Sequence, residues 1–318
     1  MSRPRILLTA RWPDAVEAAL AERFQVAFNR DDHPFDRDEL RQALRDYDAV
    51  CPTVVDPLDA GVLGVEPRRC RLLANFGVGL DHIDLEAARR HGIAVTNTPG
   101  VLTDCTADLA MTLLLMAARR AGEGERQVRA GAWRGWRPTH LLGTKVSGKT
   151  LGIVGMGRIG RAVARRAHHG FGMRILYHHP RPLAAAEGEY CPDLDTMLPR
   201  CDFVSLHCPG GQRNRHLFDA ARLARMKPGS FLVNTARGDV VDTDALVDAL
   251  DRGPLRGAAL DVYENEPAVD PRLRRREDVV LLPHLGSATI ETREAMGFRV
   301  LENLEAFFAG REPPDRVI

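Results

Sequence analysis

The six cysteines of this 318-residue chain (51, 70, 105, 191, 201 and 208) include no C-x-x-C pair and no His/Cys cluster at metal-ligand spacing. Neither a zinc site nor a disulfide framework can be read from them, and a reducing cytoplasm suits them best. An excess of one charge is also missing, since 44 Lys and Arg stand against 43 Asp and Glu for a formal charge of +1. No net field would hold such a protein on nucleic acid or on an anionic membrane. The basic run Arg274-Arg275-Arg276 is followed at once by Glu277-Asp278 and reads as a solvated turn. Long hydrophobic runs are absent too. The N-terminal MSRPRILLTARWP meets Pro13 before a signal-peptide apolar region or a membrane span develops, so the protein is expected to be soluble. There is no short-period repeat and no low-complexity segment.

With 44% hydrophobic residues the chain can bury a sizeable core, and its length suits two domains sharing a cleft. Its first hundred residues alternate strand-like runs, RILLT (5–9), FQVAF (24–28), DAVCPT (48–53), RLLANF (71–76) and IAVTNT (93–98), with helical patterns such as 13–24, 37–47 and 84–92. That alternation predicts a parallel sheet covered on both faces. Residues 102–122 predict a long, mostly apolar and therefore buried helix, with Thr103 or Asp104 as its cap. The stretch 122–148, rich in Gly, Arg and Trp, has neither helical nor strand period and predicts an extended arm. Trp133, Trp136 and Pro138 are bulkier than a solvated loop needs; they pack either on their own chain or on a partner subunit. A second alternating series runs from 149 to 288, and the helical pattern 289–310 returns to the first domain.

The run LGIVGMGRIGRAVARRA places an apolar strand, then Gly155-Met156-Gly157-Arg158-Ile159-Gly160, then a helix. Gly155 permits a tight turn, Gly157 lets a pyrophosphate approach the backbone, and Gly160 lets helix and strand pack closely. The helix N-terminus then offers free N–H groups to phosphates. A second strand follows, MRILYHHPRP, and about 20 residues beyond the glycines an NAD site would carry an acid for the ribose hydroxyl. His179, Pro180 and Arg181 stand there instead. A His and an Arg attract the 2′-phosphate that an acid would repel, so NADP(H) is the expected cofactor, with NAD(H) still usable if Arg181 faces only solvent.

Three further stretches each carry an ionisable residue just after a strand-like run: FLVNTARGD with Arg237, LDVYENEP with Glu266 and VVLLPHLGSA with His284. Taken singly these are a salt-bridge partner, a turn residue and a core histidine. Strand ends at the carboxyl edge of a parallel sheet converge, however, and one guanidinium, one carboxylate and one imidazole are what reduction of a 2-keto acid needs. Arg237 would hold the substrate carboxylate, His284 would give the proton, and Glu266 would orient the ring and favour its protonated form.

These stretches, with LHCPGGQRNRHL (206–217), MKPGSFLVNTARGDVVDTDAL (226–246) and PHLGSAT (283–289), resemble the D-2-hydroxyacid dehydrogenase family, and within it the glyoxylate/hydroxypyruvate reductases, over nearly the whole chain. The resemblance implies an α/β protein of two doubly wound parallel-sheet domains: a flavodoxin-like substrate domain (1–99 plus 289–318) and a Rossmann cofactor domain (100–288), with the active-site cleft between them. It implies that Arg237, Glu266 and His284 are the catalytic residues. The amides of Val78 and Gly79 would bind the substrate carboxylate, and Thr106, Cys208, Pro209, Ala236, Asp261 and Gly286 would line the nicotinamide or the neighbouring ribose and phosphates. Asp261 would bond the carboxamide. A homodimer is implied as well, with Trp136 reaching the partner's active site. The implied reaction is NAD(P)H-dependent reduction of a small 2-keto acid to the D-2-hydroxy acid. One departure is Gly210-Gly211-Gln212, where relatives usually have a Leu-Thr-Pro-type turn.

Two other readings compete. A phosphoglycerate dehydrogenase often carries a further regulatory domain, and the missing acid at 179 argues against an NAD-biased enzyme. A dinucleotide-sensing corepressor of the same fold would bring a disordered tail or a basic extension, and neither is found before Ile318.

Overall fold

The structure is a computed structural model and describes residues 3–318. Two compact units emerge, Met1–Leu102 with Ser287–Ile318, and Thr103–Gly286. Both are α/β with all-parallel sheets.

In the first unit, β1 (Arg5–Leu8), β2 (Gln25–Phe28), β3 (Ala49–Cys51), β4 (Leu72–Ala74) and β5 (Ala94–Thr96) form a parallel sheet in the order β2-β1-β3-β4-β5, the flavodoxin-like order. Side chains alternate across the strands, as the pleat requires. Ile6 and Leu8 pack with Val16 and Leu20 of the helix Asp14–Arg23 and with Val300 and Leu304 of the helix Ile290–Phe308. Leu7, Val50 and Leu73 point the other way, onto Leu40 and Leu44 of the helix Arg37–Asp46. Both faces are therefore covered, which explains why these strands read as short continuous apolar runs. A capping box of Asp36 and Glu39 starts the helix Arg37–Asp46.

The second unit holds β6 (Thr150–Val154), β7 (Arg174–His178), β8 (Glu189–Tyr190), β9 (Phe203–Leu206), β10 (Ser230–Asn234), β11 (Leu255–Leu260) and β12 (Val279–Leu281), ordered β12-β11-β10-β9-β6-β7-β8. The order runs outward in both directions from β6 and β9. A ligand crevice is expected beyond the carboxyl ends at that reversal. Ala107 and Leu114 of the helix Thr103–Arg119 and Val163 and Ala167 of the helix Arg158–Phe171 cover one face, against Leu151, Ile153 and Val233. Leu246 and Leu250 of the helix Thr243–Asp251 cover the other, against Leu232 and Ala258.

Two expectations need correction. The apolar helix does not run to 122: Thr103 is its first residue, and it stops at Arg119 because Arg120 takes a left-handed conformation with φ 53°. The arm is not without regular structure either, since Ala121–Arg129 is a helix. That helix buries none of its residues and carries only Ala121 and Val128 as apolar side chains, so no apolar stripe marks it in the sequence. Beyond it Trp133 and Trp136 are 54% and 81% exposed, and Pro138 is exposed as well, so of the two placements expected for them packing on their own chain is not the one observed.

Candidate active site

The glycine turn after β6 is built from close approaches. Gly155 has φ 94°, and a Cβ there would lie 2.6 Å from the Cys208 amide nitrogen and 2.7 Å from the His207 carbonyl carbon. A Cβ on Gly160 would lie 2.2 Å from the Gly155 oxygen. Both positions need glycine for packing alone. Gly157 differs, because a Cβ there meets nothing within 4 Å. It caps the helix Arg158–Phe171, which begins with no side-chain cap and no acid in its first turn. The Met156 side chain is buried in the core, so only its backbone can face a ligand, while Arg158 is exposed and Ile159 half-buried.

At the end of β7, His178 accepts from the Gly155 amide at 3.0 Å through its carbonyl. The next residue, His179, has its Nδ1 buried with no hydrogen-bond partner among the described residues. Burial, together with the charges of Arg181, His178 and Arg161, pushes its pKa below the ordinary 6.5. Pro180 and Arg181 are exposed. An open glycine, an uncapped helix start and an unpaired imidazole nitrogen in a cationic corner fit the phosphates of a dinucleotide.

The remaining strand ends carry the other candidates. Cys208 is half-buried, its thiol pushed up to about 11 by burial, and Pro209 is exposed. Ala236 is buried and donates its amide to Asn234 Oδ1 at 2.9 Å. Thr106 Oγ1 donates to the Gly286 carbonyl at 2.9 Å. Asp261 is 1% exposed and accepts from the Leu285 and Gly286 amides at 2.7 and 2.8 Å. Burial still raises its pKa against those two bonds. Its carbonyl also accepts from the His284 amide at 2.9 Å, so one residue grips the whole 284–286 turn. That grip holds His284 at φ 54°, a left-handed conformation costly for a residue with a Cβ.

His284 Nδ1 lies 2.8 Å from Glu266 Oε2, and the other oxygen of Glu266 accepts from the Tyr263 amide at 2.9 Å. Both side chains of the pair remain about a third exposed. Burial alone would raise the Glu266 pKa; the His284 hydrogen bond and charge, the Tyr263 amide and the Arg237 charge together bring it below 4.5. A carboxylate bonded to Nδ1 leaves the opposite ring nitrogen to exchange a proton with a substrate. Arg237 extends from the end of β10, donating to the Ala236 carbonyl at 2.7 Å. In the other unit the turn after β4 has its carbonyls taken up internally: Gly77 and Gly79 accept from Asn75 Nδ2 at 3.0 Å, and Val78 accepts from Asn97 Nδ2 at 3.0 Å.

Two contributors escape sequence reading. Gly210 is the departing turn residue, and a Cβ there would come within 2.7 Å of Arg237 Cγ, so a glycine makes room for that side chain. His207 accepts from or donates to Ser205 Oγ at 2.9 Å, and burial holds its pKa down to about 3. It is a neutral support beneath the glycine turn. The neighbouring dipeptide Gly210-Gly211 signalled the first; nothing in the pattern signalled the second.

A parallel sheet with a phosphate-ready glycine turn at its order reversal, and an imidazole–carboxylate pair at its strand ends, defines an oxidoreductase that works with a nicotinamide dinucleotide. The profile of the D-isomer specific 2-hydroxyacid dehydrogenase NAD binding domain matches residues 111–286, and the chain belongs to that family. It is 46% identical over 321 residues to the glyoxylate reductase of Korarchaeum cryptofilum, covering 99% of this chain and 96% of that protein. It is 44% identical over 322 residues to the glyoxylate reductase of Thermococcus litoralis, covering 99% and 97%. Among solved structures it is similar to the NADPH-dependent glyoxylate/hydroxypyruvate reductase of Sinorhizobium meliloti in complex with NADP and malonate, at 37% identity and TM-score 0.90, covering 99% of this chain and 97% of that one.

Proposed function

We propose that the protein reduces a small 2-keto acid of the glyoxylate or hydroxypyruvate type to the D-2-hydroxy acid, using NADPH in preference to NADH. The observation that carries this reading is the 2.8 Å His284–Glu266 pair in the unit that also carries Arg237 and the glycine turn. The bound dinucleotide supplies a hydride. Gly155, Gly157 and Gly160, with the amides of 156–160, hold its phosphates, and Thr106, Cys208, Pro209, Ala236, Asp261 and Gly286 line its nicotinamide half. Arg237 binds the substrate carboxylate with the Val78 and Gly79 amides and polarises the keto oxygen. His284 delivers the proton, and Glu266 keeps the ring oriented. The unpaired His179 nitrogen and the neighbouring Arg181 charge favour a 2′-phosphate, which is the ground for NADPH.

In this reading residues 1–99 with 289–318 form the substrate domain and 100–288 the cofactor domain. The exposed Trp136 reaches the active site of a second copy in a homodimer. None of the six cysteines forms a disulfide among the described residues, which suits the cytoplasm. Among the described residues no helix is long and apolar enough to cross a membrane.

The test is a matrix of kcat/KM over glyoxylate, hydroxypyruvate and longer 2-keto acids with both cofactors. Turnover of the two short acids, with NADPH ahead by about ten- to a hundredfold, is expected from one charge-assisted contact in a partly exposed site. Equal use of both cofactors would remove His179 and Arg181 from the cofactor site. No turnover of any 2-keto acid would sink the reading.

A further inference from the structure

Glu264 is two residues from Glu266, and its side chain is only 16% exposed. Its Oε1 accepts from His216 Nε2 at 2.6 Å and from Arg215 at 3.3 Å; its Oε2 accepts from Thr243 Oγ1 at 2.9 Å and from the Thr243 amide at 3.4 Å. One carboxylate thus fastens three segments. The segment through His216 follows Cys208-Pro209-Gly210, the one at Thr243 follows Arg237, and the third is the turn that carries Glu266. The same three are pressed together by backbone. His216 donates its amide to the Asp239 carbonyl at 2.7 Å, Gly211 donates to Asp239 Oδ2 at 3.2 Å, and a Cβ on Gly238 would fall 1.9 Å from the Tyr263 carbonyl carbon. His216 also holds a left-handed conformation, φ 49°, which a non-glycine residue keeps only when its surroundings compel it. The Glu264 carboxyl stays ionised for this work. Burial would raise its pKa, but the hydrogen bonds from His216 and Thr243 hold it below 4.5.

We propose that Glu264, clamped by His216, is a positioning residue for the reaction: it holds the Arg237 and Glu266 segments in mutual register without touching substrate. This rests on the reading of Arg237, Glu266 and His284 given above. The tie engages His216 and Thr243, whereas Glu266 is held by His284 and the Tyr263 amide, so the two carboxylates share no side-chain partner. Its loss would leave the dinucleotide turn at β6 intact and loosen the two groups that must meet the keto acid together.

The experiment compares Glu264→Ala, Glu264→Gln and His216→Asn with the parent. Each is scored by kcat per cofactor-binding molecule, counted by NADPH titration, so that loss of folded protein does not register as loss of rate. Glu264→Ala is expected to lower kcat with glyoxylate about ten- to a hundredfold while the Kd for NADPH stays within about threefold, since small misplacements of a reacting group are costly. Glu264→Gln gives up the charge but keeps an oxygen for Thr243 and an amide for the His216 ring, and it is expected to recover to within about fivefold of the parent if geometry is what matters. His216→Asn tolerates the left-handed backbone yet falls short of Glu264; it should reproduce the Ala loss, and the double variant should be no slower than the slower single one. Parental kcat in Glu264→Ala, a Gln variant as slow as Ala, or additive losses in the double variant would each overturn the proposal. If Glu264→Ala does not fold, the Gln and Asn variants carry the test on the same criteria. His284→Asn, run alongside, separates the two levels: if it keeps parental turnover the site reading itself fails, whereas if it is inactive and Glu264→Ala is not, only the positioning role fails.

Discussion

His284 and Glu266 make a pair whose acid-side limit is set by the carboxyl. The carboxyl of Glu266 is held below its ordinary 4.5, so the pair's negative partner persists as pH falls well into the acid range. Keto-acid reduction should therefore keep its rate as pH falls toward the ordinary carboxylate range and be lost only below it, and Glu266→Gln, which has no carboxylate to protonate, should be slow without that acid-side loss. Initial rates across pH with saturating NADPH check this, and an acid-side loss left unchanged in Glu266→Gln would uncouple Glu266 from His284. His207 is neutral above that range, because burial holds its pKa down to about 3. Arg237→Ala should keep dinucleotide binding and lose about two to four decades of kcat/KM, on the order of 3–5 kcal/mol for a charge-assisted contact made to the substrate. A variant within about threefold of the parent would take Arg237 out of the mechanism.

At the scale of elements the three glycines of the β6 turn separate stability from binding. Gly160→Ala drives a methyl into the Gly155 oxygen, and Gly155→Ala adds a positive φ to a backbone clash. Each should destabilise the unit by more than about 2 kcal/mol. Gly157→Ala puts its methyl into open space at φ −75°, so stability should change by less than about 1 kcal/mol while NADPH binding weakens. Thermal melts and fluorescence titration of the three variants check the contrast; equal loss of stability in all three would end it. Such elements were legible because their rules are local. Apolar runs bounded by helices announced both parallel sheets, and G-x-G-x-x-G between a strand and a helix announced the turn. Arg237, Glu266 and His284 could be named as candidates for a related reason, since each follows a strand-like run and parallel strands end on one edge, and the structure brings the last two into contact. What stayed hidden depends on tertiary partners. The helix Ala121–Arg129 buries none of its residues and has no apolar stripe to read. Gly210 matters only because Arg237 Cγ passes beside it, and Glu264 looks like any turn acid until His216 and Thr243 close on it.

For the whole molecule the unanswered surface is the arm. Trp133, Trp136 and Leu142 are 54%, 81% and 57% exposed within ten residues of chain, in a protein with a formal charge of +1 that gains little from like-charge repulsion. Apolar surface gathered in this way favours a twofold homodimer. Sedimentation at micromolar concentration should find the dimer, and a fully active monomer would refute it. The same feature makes the protein its own optical reporter. Of its three tryptophans only Trp12 is buried within the chain, at 5% exposure, so most of the ultraviolet emission originates on the arm. Diluting the enzyme through its assembly constant should move the emission maximum to longer wavelength with no change in circular dichroism, because two indoles pass from an apolar contact into water while Trp12 stays where it is.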